Sequence, residues 1–147
     1  MKQTKSIASR AEMAEFAANI AANLRAGDLV LLNGPLGAGK TFLTQNILKA
    51  LGVTEQVTSP TFVMLKSYQG SLLINHVDAY RLLDLANPLQ AFEDLDVELD
   101  DSVTIVEWGE PFDVTGQGLH IDIELGELEN RTLTIHGSDL RWDALKL

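Results

Sequence analysis

The chain has no cysteine among its 147 residues. That excludes disulfides, thiolate zinc sites and iron–sulfur clusters. Basic residues are scarce as well, 11 Lys and Arg against 21 Asp and Glu, for a formal net charge of −10. The basic residues are scattered and form no stripe. Nucleic acid is gripped by clustered Lys and Arg, so strong direct binding to it is not expected. No stretch approaches the roughly 18–20 consecutive apolar residues that a membrane span requires. The opening "MKQTKSIASRAEMAEF" lacks the apolar core of a signal peptide, so a cytoplasmic location is expected. There is no internal repeat and no low-complexity tract. With 46% apolar residues, a single domain over residues 1–147 is the expectation.

Several elements are legible. Ser9, with Glu12 three residues on, predicts a capped helix start. Met13, Phe16, Ile20 and Leu24 then recur at helical spacing, and Gly27 is the expected stop. The apolar run 29–33 predicts a buried strand, and residues 40–51 a helix closed by Gly52. The stretches 61–68 and 71–78 predict two strands of a hairpin turning at Gln69-Gly70, and 119–125 and 131–136 predict a second hairpin. Asn87-Pro88 predicts a short helix, capped by Asn87 with proline at its first position. "SVTIVEW" (102–108) predicts a buried strand ending in an acid, and "SDLRWDAL" a short terminal helix. Alternating helices and buried strands predict an α/β fold with a mostly parallel central sheet, extended by antiparallel strands.

Between the strand 29–33 and the following helix lies "GPLGAGKT" (34–41). It fits G-x-x-x-x-G-K-[ST], the Walker A pattern. Each position has a chemical reason. Glycines let successive amides face inward as an anion nest. The helix start adds the positive end of its dipole. Lys40 brings a full charge to β- and γ-phosphates, and the Thr41 hydroxyl can ligate Mg²⁺. A second acid is needed for the metal, and Glu107 ends a buried strand. In "NHVDAYR", His76 and Asp78 share a strand face. Asp78 is placed to orient a water, His76 to fix that carboxylate, and Arg81 to stabilise transferring charge; a plain hairpin end is the alternative. Ser59 and Thr61 in "TSPTF" (58–62) offer hydroxyls for a γ-phosphate-sensing segment, or form an ordinary loop. Trp108 is expected to pack in the core. The acids of 84–101 read as a solvated face or as a dock for a basic partner.

Taken in order, "GPLGAGKT", "TSPTF", "HVDAYRL" and "IVEW" make the sequence resemble the TsaE (YjeE) family, small bacterial ATPases of threonylcarbamoyladenosine modification of tRNA. The resemblance covers about residues 29–110. It implies a P-loop NTPase-like three-layer fold that binds ATP or ADP with Mg²⁺, and a partnership with the TsaB–TsaD complex. By that resemblance the nucleotide is held by Gly37, Ala38, Gly39, Lys40, Thr41 and Phe42, with Thr61 and Arg131. The metal is held by Thr41 and Glu107. Lys40, Asp78 and Glu107 carry the hydrolysis. Pro35 departs from the family pattern, which has an acid there, and it removes one backbone N–H from the loop. After "YRL" the family typically shows "DPEEL" and a glycine; "LDLANPLQAFEDLD" is longer and lacks that glycine.

Three other functions share the loop. A small-molecule kinase commonly has an Arg-rich lid, and the five Arg, at 10, 25, 81, 131 and 141, are dispersed. A GTP switch normally reads guanine with N-K-x-D, which is missing. A non-catalytic nucleotide-gated interaction module remains compatible with the sequence.

Overall fold

The computed structural model describes residues 1–60 and 64–147. Its described strands form one seven-stranded sheet in the order β1-β7-β6-β2-β5-β4-β3. They are β1 (Lys2–Ile7), β2 (Leu29–Asn33), β3 (Leu65–Gln69), β4 (Leu73–Asp78), β5 (Val103–Glu107), β6 (Leu119–Leu125) and β7 (Arg131–His136). The central strands β6, β2, β5 and β4 are mutually parallel. Both hairpins, β3–β4 and β6–β7, are antiparallel, and β1 adds antiparallel to β7. The sheet is therefore parallel at its centre with antiparallel additions, as the alternation of elements predicts.

Helices α1 (Arg10–Ala21) and α2 (Lys40–Ala50) cover one face. Met13, Phe16 and Ile20 of α1 and Leu43, Ile47 and Leu48 of α2 bury against Val30, Leu32, Ile105, Ile121 and Ile135 of the sheet. The other face has a thinner layer. Helix α3 (Pro88–Asp94) and the 3-10 segments Tyr80–Asp84 and Glu110–Phe112 set Leu82, Phe92 and Phe112 against Leu29, Leu31, Val77 and Val106. This third layer lies over β2, β5 and β4. On the same face of the β6–β7 wing, His120, Asp122, Thr132, Thr134 and His136 are only half-buried.

Local chemistry sets the boundaries. Ser9 Oγ accepts from the Glu12 amide (3.2 Å), and Glu12 Oε2 accepts in return from Ala8 N (2.6 Å). The helix ends at Ala21, before the expected Gly27, where Asn23 Nδ2 donates to the Asn19 carbonyl (2.8 Å) and competes for a last-turn acceptor. Leu24 still reaches the core from the turn. The strand expected from residue 71 begins at Leu73, because the Ser71 amide and hydroxyl both turn to the Leu51 carbonyl at the end of α2 (2.7 and 3.0 Å). The described part of the strand expected over 61–68 starts at Leu65; Met64 has φ 65°, which a strand cannot use. After α3, Asp96 adopts φ 53° and takes the left-handed turn usual for glycine.

β1 was not among the predicted elements. Only Ile7 of its six residues is buried, so the segment carries no apolar alternation. It is a strand because β7 offers an open edge.

Candidate phosphate and metal site

Parallel strands aim their carboxyl ends at one edge of a sheet, where α/β folds place ligands. Here that edge gathers the ends of β2, β4 and β5. Asp78 and Glu107 are paired in register as the last residues of β4 and β5. The loop 34–39 leaves β2 at the same edge and feeds α2.

Glycines shape the loop in two ways. Gly34 has no room for a side chain, since a Cβ would lie 2.6 Å from the Ile123 carbonyl. Gly39 caps α2 at φ 110°, a conformation L residues rarely adopt. Helix α2 then starts at Lys40 with no side-chain cap. The first amides of a helix have no acceptor within it, so the start of α2 presents N–H groups to an anion.

Lys40 is buried. Its Nζ donates to the carbonyls of Gly34 (2.6 Å) and Pro35 (3.0 Å) and lies 3.9 Å from the centroid of the Trp108 ring. Burial pushes its ammonium below the ordinary lysine value of 10.5, while the charges of Glu107 and Asp78 act the other way. Pro35 contributes its carbonyl twice, to Lys40 and to the Ala38 amide (3.1 Å). Thr41 Oγ1 donates to Glu107 Oε1 (2.8 Å), and His76 Nε2 lies 2.5 Å from Glu107 Oε2. His76 therefore does not fix Asp78, as the shared strand face suggests. Asp78 Oδ2 instead accepts from Ser59 Oγ (2.9 Å), and Oδ1 from the Tyr80 amide (3.1 Å).

One cavity of about 610 Å³ is bounded by Leu36, Gly37, Gly39, Lys40, Thr41, Phe42, Ser59, Asp78, Tyr80, Glu107 and Trp108. A second cavity of about 270 Å³ shares Gly37, Gly39 and Phe42 and adds Ser9, Arg10, Met13, Glu129 and Arg131. Arg10 stacks on the Phe42 ring, 4.4 Å from its centroid. Arg131 braces the loop from behind: its Nε donates to Ala38 O (3.0 Å), and Nη1 to Leu128 O (2.9 Å) and Asn130 O (2.8 Å).

The structure thus brings together Gly37, Gly39, Lys40, Thr41, Phe42, Asp78 and Glu107 on the larger cavity, while buried Ala38 lines the second one. Arg131 lies on the second cavity. Arg81 is exposed on the segment after β4. Thr61 lies outside the described residues. Trp108 packs against the margin of the second core cluster, half-buried at φ 61°, and also lies over Lys40 and 5.0 Å from the Tyr80 ring. Its position directly after Glu107 was the available signal.

The donor set suits a hard divalent cation. Mg²⁺ takes oxygen ligands and is usually held by one or two protein oxygens, the rest being phosphate and water. Thr41 Oγ1 and Glu107 Oε1 are such a pair, already in contact.

Residues 7–133 match the family described as "Threonylcarbamoyl adenosine biosynthesis protein TsaE". The tRNA threonylcarbamoyladenosine biosynthesis protein TsaE of Streptomyces coelicolor is 44% identical over 140 residues, covering 88% of this chain and 93% of its own. The protein of that name from Rickettsia prowazekii is 34% identical over 142 residues, covering 93% and 96%. The crystal structure of Bacillus subtilis YdiB superposes with a TM-score of 0.79 at 28% identity, covering 99% of this chain and 91% of that one. The match spans the loop, both strand-end acids and most of the sheet, and on it the chain belongs to the TsaE family.

Proposed function

We propose that this protein binds ATP with Mg²⁺ and hydrolyses it, as the ATPase subunit that serves threonylcarbamoyladenosine modification of tRNA together with the TsaB–TsaD complex. The observation that carries the reading is the convergence of Lys40, Thr41 and Glu107 on one cavity, with Thr41 Oγ1 and Glu107 Oε1 2.8 Å apart. The loop amides and Lys40 bind the β- and γ-phosphates. Lys40 does so by exchanging the Gly34 and Pro35 carbonyls for phosphate oxygens. Thr41 and Glu107 hold the metal, which when bound neutralises charge developing on the transferred phosphoryl group. Asp78, fixed through both oxygens by Ser59 and Tyr80, orients the attacking water. The 270 Å³ cavity across Phe42 receives the base.

Two features support a protein partner. The segment that starts at Tyr80 exposes Tyr80, Leu83, Leu85 and Leu89, and it continues directly from the cavity wall. The net charge of −10 repels RNA, so contact with tRNA falls to other subunits.

The test is phosphate release from ATP by the purified chain, with and without TsaB–TsaD. The reading expects slow release that the complex accelerates and that Lys40→Ala abolishes. A Lys40→Ala protein with normal release would overturn it. Transfer of the phosphoryl group to a metabolite would instead favour a kinase.

A further inference from the structure

The buried His76 has no part in the scheme above. It is fully buried (0% exposed), and Glu107, at the cavity wall, is nearly so (3%). Its Nε2 meets Glu107 Oε2, while its Nδ1 is sealed in without any hydrogen-bond partner. A histidine kept for structure alone would use both nitrogens, since a buried polar atom left unpaired costs stability. This ring gives up one nitrogen to place the other on a single carboxylate oxygen.

We propose that His76 is a positioning residue for Glu107, holding Oε2 so that Oε1 faces Thr41 and the metal. The proposal rests on the metal-binding reading of Thr41 and Glu107. Three arguments support it. A glutamate side chain has three rotatable bonds, and fixing them beforehand removes an entropic cost of metal binding. The two carboxylate oxygens are divided, one to His76 and one to Thr41, so neither contact competes with the other. Finally, the sealed Nδ1 places the ring's proton on Nε2, because a buried N–H without an acceptor is the costlier arrangement. Nε2 is then the nitrogen that donates to Glu107 Oε2.

The test measures nucleotide affinity in EDTA, and Mn²⁺ affinity of the protein–ADP complex by electron paramagnetic resonance. His76→Leu is expected to keep the EDTA affinity and to lose about 10–100-fold in Mn²⁺ affinity, the usual cost of removing a partner behind a metal ligand. His76→Gln, whose amide nitrogen reaches the level of Nε2, is expected to restore most of that loss. His76→Asn, whose amide stops at the level of Nδ1, is not. This pair keeps the comparison valid if the leucine variant fails to fold. Wild-type Mn²⁺ affinity in His76→Leu or His76→Asn, or equal losses in the Gln and Asn variants, would overturn the proposal while leaving the ATPase reading intact. Wild-type protein that bound no nucleotide at all would sink that reading, and this proposal with it.

Discussion

Strand β2 has a buried ionic cluster at each end, and the two differ in a way that separates binding from stability. Before the strand, Asp28 Oδ2 accepts from the Arg25 amide (2.8 Å) and from Arg141 Nη2 (2.5 Å), while Arg141 also reaches Asn23 O (3.0 Å) and stacks on Trp142 (4.0 Å). That cluster ties the end of the chain to the α1–β2 turn and faces none of the cavities around the loop. After the strand, Lys40 is satisfied by two loop carbonyls, and it borders a 610 Å³ cavity with two carboxylates at the same edge. Burial lowers the proton affinity of both cations, Lys40 and Arg141. At one end the cation is paired with a carboxylate. At the other it is held by neutral loop carbonyls at the rim of a cavity. That difference in partner, carboxylate against neutral carbonyl, distinguishes the candidate functional end.

The largest expected effect is at Lys40. Lys40→Ala should weaken ATP binding by about 10–100-fold, the value of charge-assisted hydrogen bonds to phosphate. It should not lower the melting temperature, because it also removes a desolvated ammonium. Calorimetric titration and a thermal melt on one preparation check both halves. Next, Glu107→Ala should cut turnover by about 100-fold, in line with the loss of a group that stabilises transition-state charge. Mg²⁺-free ADP binding should be largely kept. A proportional loss of both would mean that Glu107 shapes the fold rather than holds the metal.

Arg141→Ala probes the other end. Losing its contacts to Asp28 and Asn23 should cost about 2 kcal/mol, or roughly 4–8 °C in melting temperature for a chain of this length. ATP affinity at 25 °C should stay unchanged. A shift in nucleotide affinity would erase the contrast between the two ends.

The effect of pH is smaller and has a definite sign. In the free protein Lys40 loses its proton below the ordinary value of 10.5, and bound phosphate favours the ammonium. ATP affinity should therefore fall as pH rises through that depressed value, by up to about tenfold per unit for one linked proton. Between the depressed value and 10.5 the unfolded lysine binds more protons than the folded one. Stability from this group alone should rise with pH across that window. Lys40→Met should flatten the affinity profile. The smallest effect is expected at Arg131: Arg131→Ala frees the Ala38 carbonyl and should weaken ADP by a few-fold, about 1 kcal/mol.

The end that carries the candidate site was also the more legible one. Phosphate chemistry dictates glycines, a lysine and a hydroxyl at fixed spacing, so Gly39, Lys40 and Thr41 announce themselves. Glu107 and Asp78 follow from the rule that strands end at the ligand edge. The target of His76 was not legible. Alternation places His76 and Asp78 on one face, but strand order decides that Glu107 of the neighbouring strand is within reach. That Trp108 also covers Lys40 was not legible, because a positive φ and a cation underneath it leave no trace in residue type. β1 had too little apolar content to show, and the Asp28–Arg141 tie joins positions 113 residues apart, a pairing that no local pattern carries.

The most direct test is a crystal structure with a non-hydrolysable ATP analogue and Mn²⁺, located by its anomalous signal. The account predicts the triphosphate against Lys40, with the metal at Thr41 Oγ1, about 2.1 Å away, and beside Glu107. A triphosphate bound elsewhere, or a metal distant from both Thr41 and Glu107, would contradict it.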